Sequence, residues 1–390
     1  MAVVAVGSVS VTHSLAMTLK DEAPERAYVM APWDGQVAAL FARTLFGVDA
    51  SPAAQTRAGQ IALAALRSDP TVVPAVTTLA IRAQVEGDTG KTRRLFAYAQ
   101  SLSRRDLVTQ LWMIEDAVER GDIPGAMRNY DIALRTSRFT PQLLYPTLTT
   151  AMDDPAIRRA LVETLSRQPL WITSFVEHVA NNGEPMTAAQ LFQDLSAVQV
   201  PIPQDARADV IEALIRKQRF SAAWNYYRSI RRGTDPRMSR DPEFSAALES
   251  PTAFDWRPVI DNAGISAVIQ PGEQNGVFDF AVPATIGGTV LQQMQLLPPG
   301  RYDLTGRSED LEQPADTRPY WALQCDTGRE LGRIDMPNSA EDGGRFAGSF
   351  TIPSDCRAQN LKLVVRPSNS VAGVTGKILS VQLHPSGSTR

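Results

Sequence analysis

One motif constrains the fold of this chain more than any other feature of its sequence. Between Gly121 and Ala133, a Gly-Asp pair is followed by Ala126, Tyr130 and Ala133, which lie five, nine and twelve residues after the glycine. Helices approach one another closely only where their side chains are small. The spacing therefore predicts a tight turn and then a helix with two contact points and an aromatic side chain between them.

The same offsets return at four other places in the chain. The anchors Ala53, Gly87 and Gly121 are equally spaced, and the interval between Gly183 and Gln218 is longer by a single position. The interval from Gly121 to Gly183 is almost twice as long and leaves room for one eroded copy. The residues at the three offsets are Ala58, Ala62 and Ala65, then Thr92, Phe96 and Ala99, then Ala188, Phe192 and Leu195, and finally Ala223, Tyr227 and Ile230.

This repeat resembles the tetratricopeptide (TPR) repeat, whose unit is a pair of helices with a period of about 34 residues. The Gly-Asp turn and the small and aromatic positions of the second helix match that family, whereas the Trp and Tyr of its first helix do not. The resemblance covers 33–233. It implies a TPR-like α-solenoid of about twelve helices that holds a protein partner, and it carries over no catalytic residues.

The N-terminal segment 1–19 contains no Asp, Glu, Lys or Arg. As a helix it would be about 28 Å long, close to the thickness of a bilayer core. We therefore predict an N-terminal membrane anchor or signal-like segment that forms, with a charged spacer, residues 1–32. A single anchor would place the rest of the chain on the periplasmic side of a bacterial inner membrane. Alternatively, the protein would be exported. The alternatives are a buried first helix and a disordered leader.

Beyond residue 253 the period of the apolar residues changes to two, as it does along Phe278, Phe280 and Val282. Short alternating segments separated by Gly and Pro turns predict an antiparallel β-sandwich over 253–386. Prolines in 234–252 predict a linker with one helical turn near Phe244 to Leu248. The run from Leu297 to Leu304 resembles the strand entry of jelly-roll, galactose-binding-like modules.

The predicted fold is multidomain, with an all-α TPR-like solenoid followed by a jelly-roll-like β-sandwich. This layout is similar to that of bacterial envelope proteins of exopolysaccharide assembly or export. The resemblance implies a scaffold that binds a protein on the solenoid and contacts polysaccharide or protein through the sandwich. The alternative is a carbohydrate-binding or carbohydrate-active protein in which the sandwich is the working domain.

Charge and residue types argue against nucleic-acid binding and give no indication of catalysis. The 39 basic residues do not exceed the 42 acidic ones, so the basic excess that phosphate binding needs is missing. The three histidines, His13, His178 and His384, are far apart and lack metal-ligand spacing. Acidic residues cluster at 309–312 and 341–342, where solvated loops are the simpler interpretation and Ca²⁺ ligation the alternative. We therefore predict no enzyme activity, no cofactor and no metal.

Three glutamates are candidate partner-binding residues. Glu115, Glu177 and Glu212 occupy the same position in the first helix of successive pairs, which lines the inner surface in tetratricopeptide proteins. They predict an acidic ladder that attracts a basic segment. The alternative is three ordinary solvated side chains.

The sandwich contributes three further candidates. Tyr320 is the candidate for carbohydrate stacking because it alternates with Trp321 and would face outward. Trp256 and Tyr302 are expected in the core. The only two cysteines, Cys325 and Cys356, could form a disulfide worth about 3 to 4 kcal/mol in an oxidising compartment. The alternative is two unpaired, buried cysteines.

Overall fold

The structure is a computed structural model that describes residues 2–260, 264–272, 275–368 and 371–387, with side chains from residue 10 onward. A helical region precedes two antiparallel sheets, which confirms the predicted fold class. The chain forms two compact units, Met1–Phe175 and Val176–Arg390. The boundary between them lies inside the helical region, so the last helices belong to the same unit as the sandwich.

In the part of the chain that the structure describes, the helical region contains twelve helices, taken here as six consecutive pairs, and two further helices precede them. The preceding helices are α1 (Ala2–Leu19) and α2 (Pro24–Met30). The pairs are α3 (Gly35–Val48) and α4 (Pro52–Ser68), α5 (Val73–Val85) and α6 (Thr89–Leu102), α7 (Leu107–Glu119) and α8 (Ile123–Thr136), α9 (Thr140–Ala151) and α10 (Pro155–Leu165), α11 (Ile172–Asn182) and α12 (Pro185–Ala197), and α13 (Gln204–Arg216) and α14 (Phe220–Ile230). Helices α9 and α10 occupy the gap where the sequence leaves room for one eroded copy, and both of them contact α8.

Local sequence explains where these helices begin. The Asp34 carboxylate accepts hydrogen bonds from the backbone N–H groups of Gln36 and Val37, and Ser51 accepts one from Ala54. These side chains satisfy N–H groups that have no partner inside a helix. Pro52 follows Ser51 at the first helical position, where the missing N–H of proline has no cost.

The repeat offsets mark the contacts between helices. Ala126, Tyr130 and Ala133 are buried on α8. All but one of the equivalent residues of the other second helices are also buried: Ala58, Ala62, Ala65, Thr92, Phe96, Ala99, Ala188, Phe192, Leu195, Ala223 and Tyr227. The exception is Ile230, which is half buried. The turns before α6 and α8 pass through Gly87 and Gly121, whose φ angles are 79° and 69°. The glycines therefore serve the left-handed turn that the motif predicts.

Two glycine-to-alanine changes in the first unit should act in opposite directions. At Gly121 an added Cβ meets nothing within 4 Å, so Gly121→Ala costs only the strain of a left-handed alanine, about 1 kcal/mol. Gly47 is exposed within α3 and also meets nothing, so Gly47→Ala should stabilise by about 0.5 to 1 kcal/mol. Urea unfolding of both variants measures the difference, and equal signs would contradict the assignment of the turn.

The second unit contains the sandwich. Its strands are β1 (Arg257–Pro258), β2 (Ser266–Gln270), β3 (Val277–Val282), β4 (Gly288–Gln295), β5 (Gly300–Glu309), β6 (Tyr320–Cys325), β7 (Glu330–Asp335), β8 (Arg345–Ile352), β9 (Gln359–Val365) and β10 (Val374–Pro385). One sheet has the order β1-β4-β9-β6-β7 and the other β2-β3-β10-β5-β8, and the pairs are antiparallel. The alternating side chains of the two inner faces form one apolar core.

Aromatic residues fill much of that core, as predicted for Trp256 and Tyr302. Both are buried, and the ring of Trp256 packs edge-on against Trp321 with centroids 5.9 Å apart. The Cys325 and Cys356 sulfurs are joined in a disulfide, and both residues are buried beside this core.

The segment 234–252 is packed against the sandwich and contains no helical turn. The predicted turn near Phe244 to Leu248 is wrong because Phe244 is fully buried in the sandwich core with a φ of 53°. The backbone N–H of Ser239 donates to the carbonyl of Leu383 on β10. Hydrogen bonds to the sandwich therefore take the place of local helical ones.

Arg240, in the segment 234–252, forms hydrogen bonds to strand β4 and to the residues that precede β1. Its Nε donates to the carbonyl of Phe254 at 2.9 Å and its NH1 to Gln295 Oε1 at 2.8 Å, while NH2 donates to the carbonyl of Met294. The guanidinium also lies over the ring of Trp224 on α14, 5.4 Å from the centroid. Burial lowers the pKa of Arg240 to about 10, so the group remains charged at neutral pH.

The predicted membrane anchor falls partly on residues 1–9, whose side chains lie outside the described residues. In the second half of α1, Ala16 is fully buried in a small cluster with Ala27, Ala31 and Val37. Among the residues that the structure describes, none of the helices combines the length and apolar character needed to span a bilayer.

Candidate functional site

A groove opens on the first unit between the first helices of two successive pairs. It has a volume of about 280 Å³. Its lining consists of Ile81 and Gln84 from α5, Phe96 from α6, and Val108, Leu111, Trp112 and Glu115 from α7. We call it the α5–α7 groove.

The sequence of α7 explains why this surface is left uncovered. Val108, Leu111, Trp112 and Glu115 follow the spacing i, i+3, i+4 and i+7, so they form one stripe along the helix. The three apolar members are only half buried. A second stripe that includes Ile114 and Ala117 is buried. Helix α7 therefore has two apolar stripes, and only one of them is buried inside the folded protein.

A stacked aromatic pair forms the floor of the groove. The rings of Phe96 and Trp112 lie nearly parallel, with centroids 4.4 Å apart and an angle of 10°. Phe96 is completely buried, which fixes the position of Trp112 against it. The half-buried ring of Trp112, held in place by Phe96, therefore offers an apolar contact surface at little conformational cost.

The rim of the groove is acidic at Glu115. This side chain is exposed and forms no hydrogen bond or ion pair with the residues that the structure describes. Its neighbour Asp116 differs, since Arg93 Nε and Arg120 Nε donate to its two oxygens at 2.7 and 3.0 Å. Asp116 therefore holds helices together, whereas the carboxylate of Glu115 is available to a ligand.

The other two predicted glutamates belong to the second unit. Glu177 is exposed on α11. Glu212 on α13 forms an ion pair with Arg257 on β1, with 2.7 Å between NH1 and Oε1. The acidic ladder of Glu115, Glu177 and Glu212 stays a prediction, and Glu212 already has a cationic partner.

Tyr320, the candidate for carbohydrate stacking, lies beside two arginines. The guanidinium carbons of Arg333 and Arg366 are 4.7 and 4.4 Å from the centroid of its ring. A sugar that stacks on this ring competes with those cation–π contacts. The stacking role stays a prediction.

Comparisons with known proteins find only weak likenesses. No protein-family model matches the chain, and no curated protein matches it. Among solved structures, pilF of Pseudomonas aeruginosa is 18% identical over 52% of this chain and 80% of its own, with a TM-score of 0.25. The glycosylation-associated protein (Gap123) complex of Streptococcus agalactiae is 10% identical over 31% of this chain and 39% of its own, with a TM-score of 0.22. The enzymatically active domain of tailspike protein 4 of bacteriophage CBA120 is 11% identical over 33% of this chain and 18% of its own, with a TM-score of 0.23. Likenesses this weak carry no argument about function.

Proposed function

We propose that this protein is a non-enzymatic scaffold whose helical repeats bind an extended segment of a partner protein in the α5–α7 groove. The observation that carries the proposal is an apolar groove with an aromatic floor and, at its rim, the Glu115 carboxylate, which has no partner among the described residues. Sites of this kind bury an apolar anchor side chain and use a few polar groups to orient the ligand.

The occupant that best fits the groove is a basic segment with one apolar anchor. A volume of about 280 Å³ is sufficient for one or two side chains and too small for a folded domain. Glu115 lies one turn from Leu111 and Trp112 on the same stripe of α7, so a Lys or Arg beside the anchor can pair with it.

We also propose that the protein acts in the bacterial cell envelope, where the sandwich contacts polysaccharide or a second protein and the scaffold serves exopolysaccharide assembly or export. The disulfide between Cys325 and Cys356 supports an oxidising compartment such as the periplasm. An N-terminal membrane anchor remains part of this proposal.

Selection from a phage-displayed random peptide library against the full chain tests the groove. Enriched peptides should share an apolar residue flanked by Lys or Arg. Leu111→Arg places a bulky cation in the groove, so it should lower their affinity at least tenfold, and Glu115→Lys should lower it by a similar factor through charge repulsion. Fluorescence titration with a synthetic copy of the selected peptide measures both effects.

Glu119→Lys is the matched control because Glu119 is an exposed glutamate one turn further along α7 and does not line the groove. It should change the affinity less than twofold. Selected peptides without a basic residue, or peptides whose affinity falls equally with Glu119→Lys, would refute this assignment of the groove.

A further inference from the structure

A second and larger cleft lies on the sandwich itself. It covers the outer face of β5, β8 and β10, has a volume of about 1100 Å³, and is bounded on one side by the segment from Met238 to Glu243. Pockets that hold small molecules have volumes of roughly 300 to 1,000 Å³, so this cleft has room for more than one sugar ring. We call it the sheet cleft.

The register of the three strands places polar side chains in rows across the floor. Ser380 on β10 lies opposite Arg307 on β5, which lies opposite Arg345 on β8. In the next row Gln382 lies opposite Thr305. All five residues line the cleft. The floor is therefore a flat array of hydroxyl and guanidinium groups together with the Oε1 of Gln382, whose Nε2 already donates to Ser239.

Arg307 and Arg345 form an unusual pair. Like charges directly opposite each other on neighbouring strands are destabilising. Both arginines are exposed, and neither side chain forms an ion pair or a hydrogen bond within the described residues. The fold itself thus gains nothing from placing two cations side by side, whereas a bound anion between them would reduce their mutual repulsion.

The side chains that line the cleft indicate which class of anion it can bind. Two guanidinium forks suit a planar carboxylate, which accepts paired N–H bonds. Two acids, Glu243 and Asp342, also line the cleft, and Asp342 pairs with neither arginine in the described part of the chain. The two acids accept hydrogen bonds from hydroxyl groups, which the rings of a sugar supply and the side chains of an acidic peptide do not. Each unit of the ligand that enters the cleft should therefore carry a carboxylate and several hydroxyls.

We propose that the sheet cleft binds an acidic polysaccharide through its uronate residues, with Arg307 and Arg345 holding the carboxylate and Thr305, Ser380 and Gln382 facing the hydroxyls. This inference rests on the part of the proposed function that gives the sandwich a binding role. It is independent of the α5–α7 groove, which lies in the other unit.

Calorimetric titration of the full chain with hexagalacturonate tests the proposal. Arg307→Gln and Arg345→Gln should each weaken binding at least tenfold, because each removes one of the two forks. Arg301→Gln is the matched control, since Arg301 is an exposed arginine of the same strand that lies outside the cleft and donates to Ser349 Oγ. It should change the affinity less than twofold. Unchanged melting temperatures show that the variants fold.

Titrations with three comparison ligands determine which chemical class of ligand the sheet cleft prefers. Neutral cellohexaose, hexaglutamate and inorganic phosphate should each bind at least tenfold more weakly than hexagalacturonate. Equal binding of hexaglutamate or phosphate, equal loss with Arg301→Gln, or no binding of hexagalacturonate would overturn the proposal. Leu111→Arg should leave uronate binding unchanged, and Arg307→Gln should leave the selected peptides bound, so a failure here is separable from a failure of the groove.

Discussion

Replacing Arg240 by methionine should destabilise the second unit by about 3 to 5 kcal/mol. The substitution removes donors from four acceptors: the carbonyls of Met238, Phe254 and Met294 and the Gln295 side chain. Methionine fits the apolar part of the site but offers these buried oxygens nothing, and each unsatisfied acceptor costs about 1 to 3 kcal/mol.

The Arg240→Lys variant distinguishes the contribution of the positive charge to stability from that of the guanidinium geometry. Lysine keeps the positive charge but lacks the planar fork that reaches several acceptors at once and stacks on Trp224. We therefore expect Arg240→Lys to lose most of the stability that Arg240→Met loses. A lysine variant as stable as the natural chain would show that charge alone matters at this site.

Hydrogen exchange followed by mass spectrometry measures the effect in each unit. The slowest amides of β9 should exchange about 100- to 4,000-fold faster in Arg240→Met, which corresponds to about 3 to 5 kcal/mol. Arg237→Ala is the control, because Arg237 is an exposed arginine of the same segment whose side chain pairs with Asp235 on the surface. Its exchange should be unchanged. Equal acceleration in both variants would contradict a structural role of Arg240.

Removal of the disulfide between Cys325 and Cys356 is expected to have the next largest effect. The bond closes a loop with a sequence separation of 31 and joins the end of β6 to the segment before β9. Loop closure of this length stabilises by about 3 to 4 kcal/mol, mainly by restricting the unfolded chain.

Urea unfolding with and without dithiothreitol checks this expectation. Reductant should lower the unfolding free energy of the second unit by about 3 to 4 kcal/mol in the natural chain and leave a Cys325→Ala/Cys356→Ala variant unaffected. The reduced natural chain and the double variant should also unfold at similar urea concentrations. Identical curves with and without reductant would mean that the bond does not stabilise the fold.

The helical repeats could be predicted from sequence because their contacts are local. Small residues at fixed offsets, such as Ala126 and Ala133, decide where neighbouring helices touch, and glycines such as Gly121 mark the turns. The alternation along Phe278 and Phe280 likewise indicated the sandwich. In both cases the signal lies within a few residues of the element that it specifies.

The sites were harder to predict because they depend on distant partners. The exposed stripe of α7 is visible as a spacing, but its uncovered state depends on α5 and α6. Ion pairs also join residues that are far apart in the sequence, and Glu212 and Arg257 are separated by 45 residues. The pair of Arg307 and Arg345 depends on the register of β5 and β8. Phe244 and Arg240 lie in a segment rich in proline, and its sequence contains no periodic pattern that would indicate their burial.

Photo-cross-linking from the rim of the α5–α7 groove tests the central claim most directly. A benzoylphenylalanine in place of Gln84 should form a covalent adduct with the selected basic peptide, and the adduct should disappear with Leu111→Arg. The same photo-reactive residue in place of Leu63, exposed on α4 and outside the groove, should give no adduct. Equal adduct yields from the two positions, or an adduct that persists with Leu111→Arg, would contradict the account.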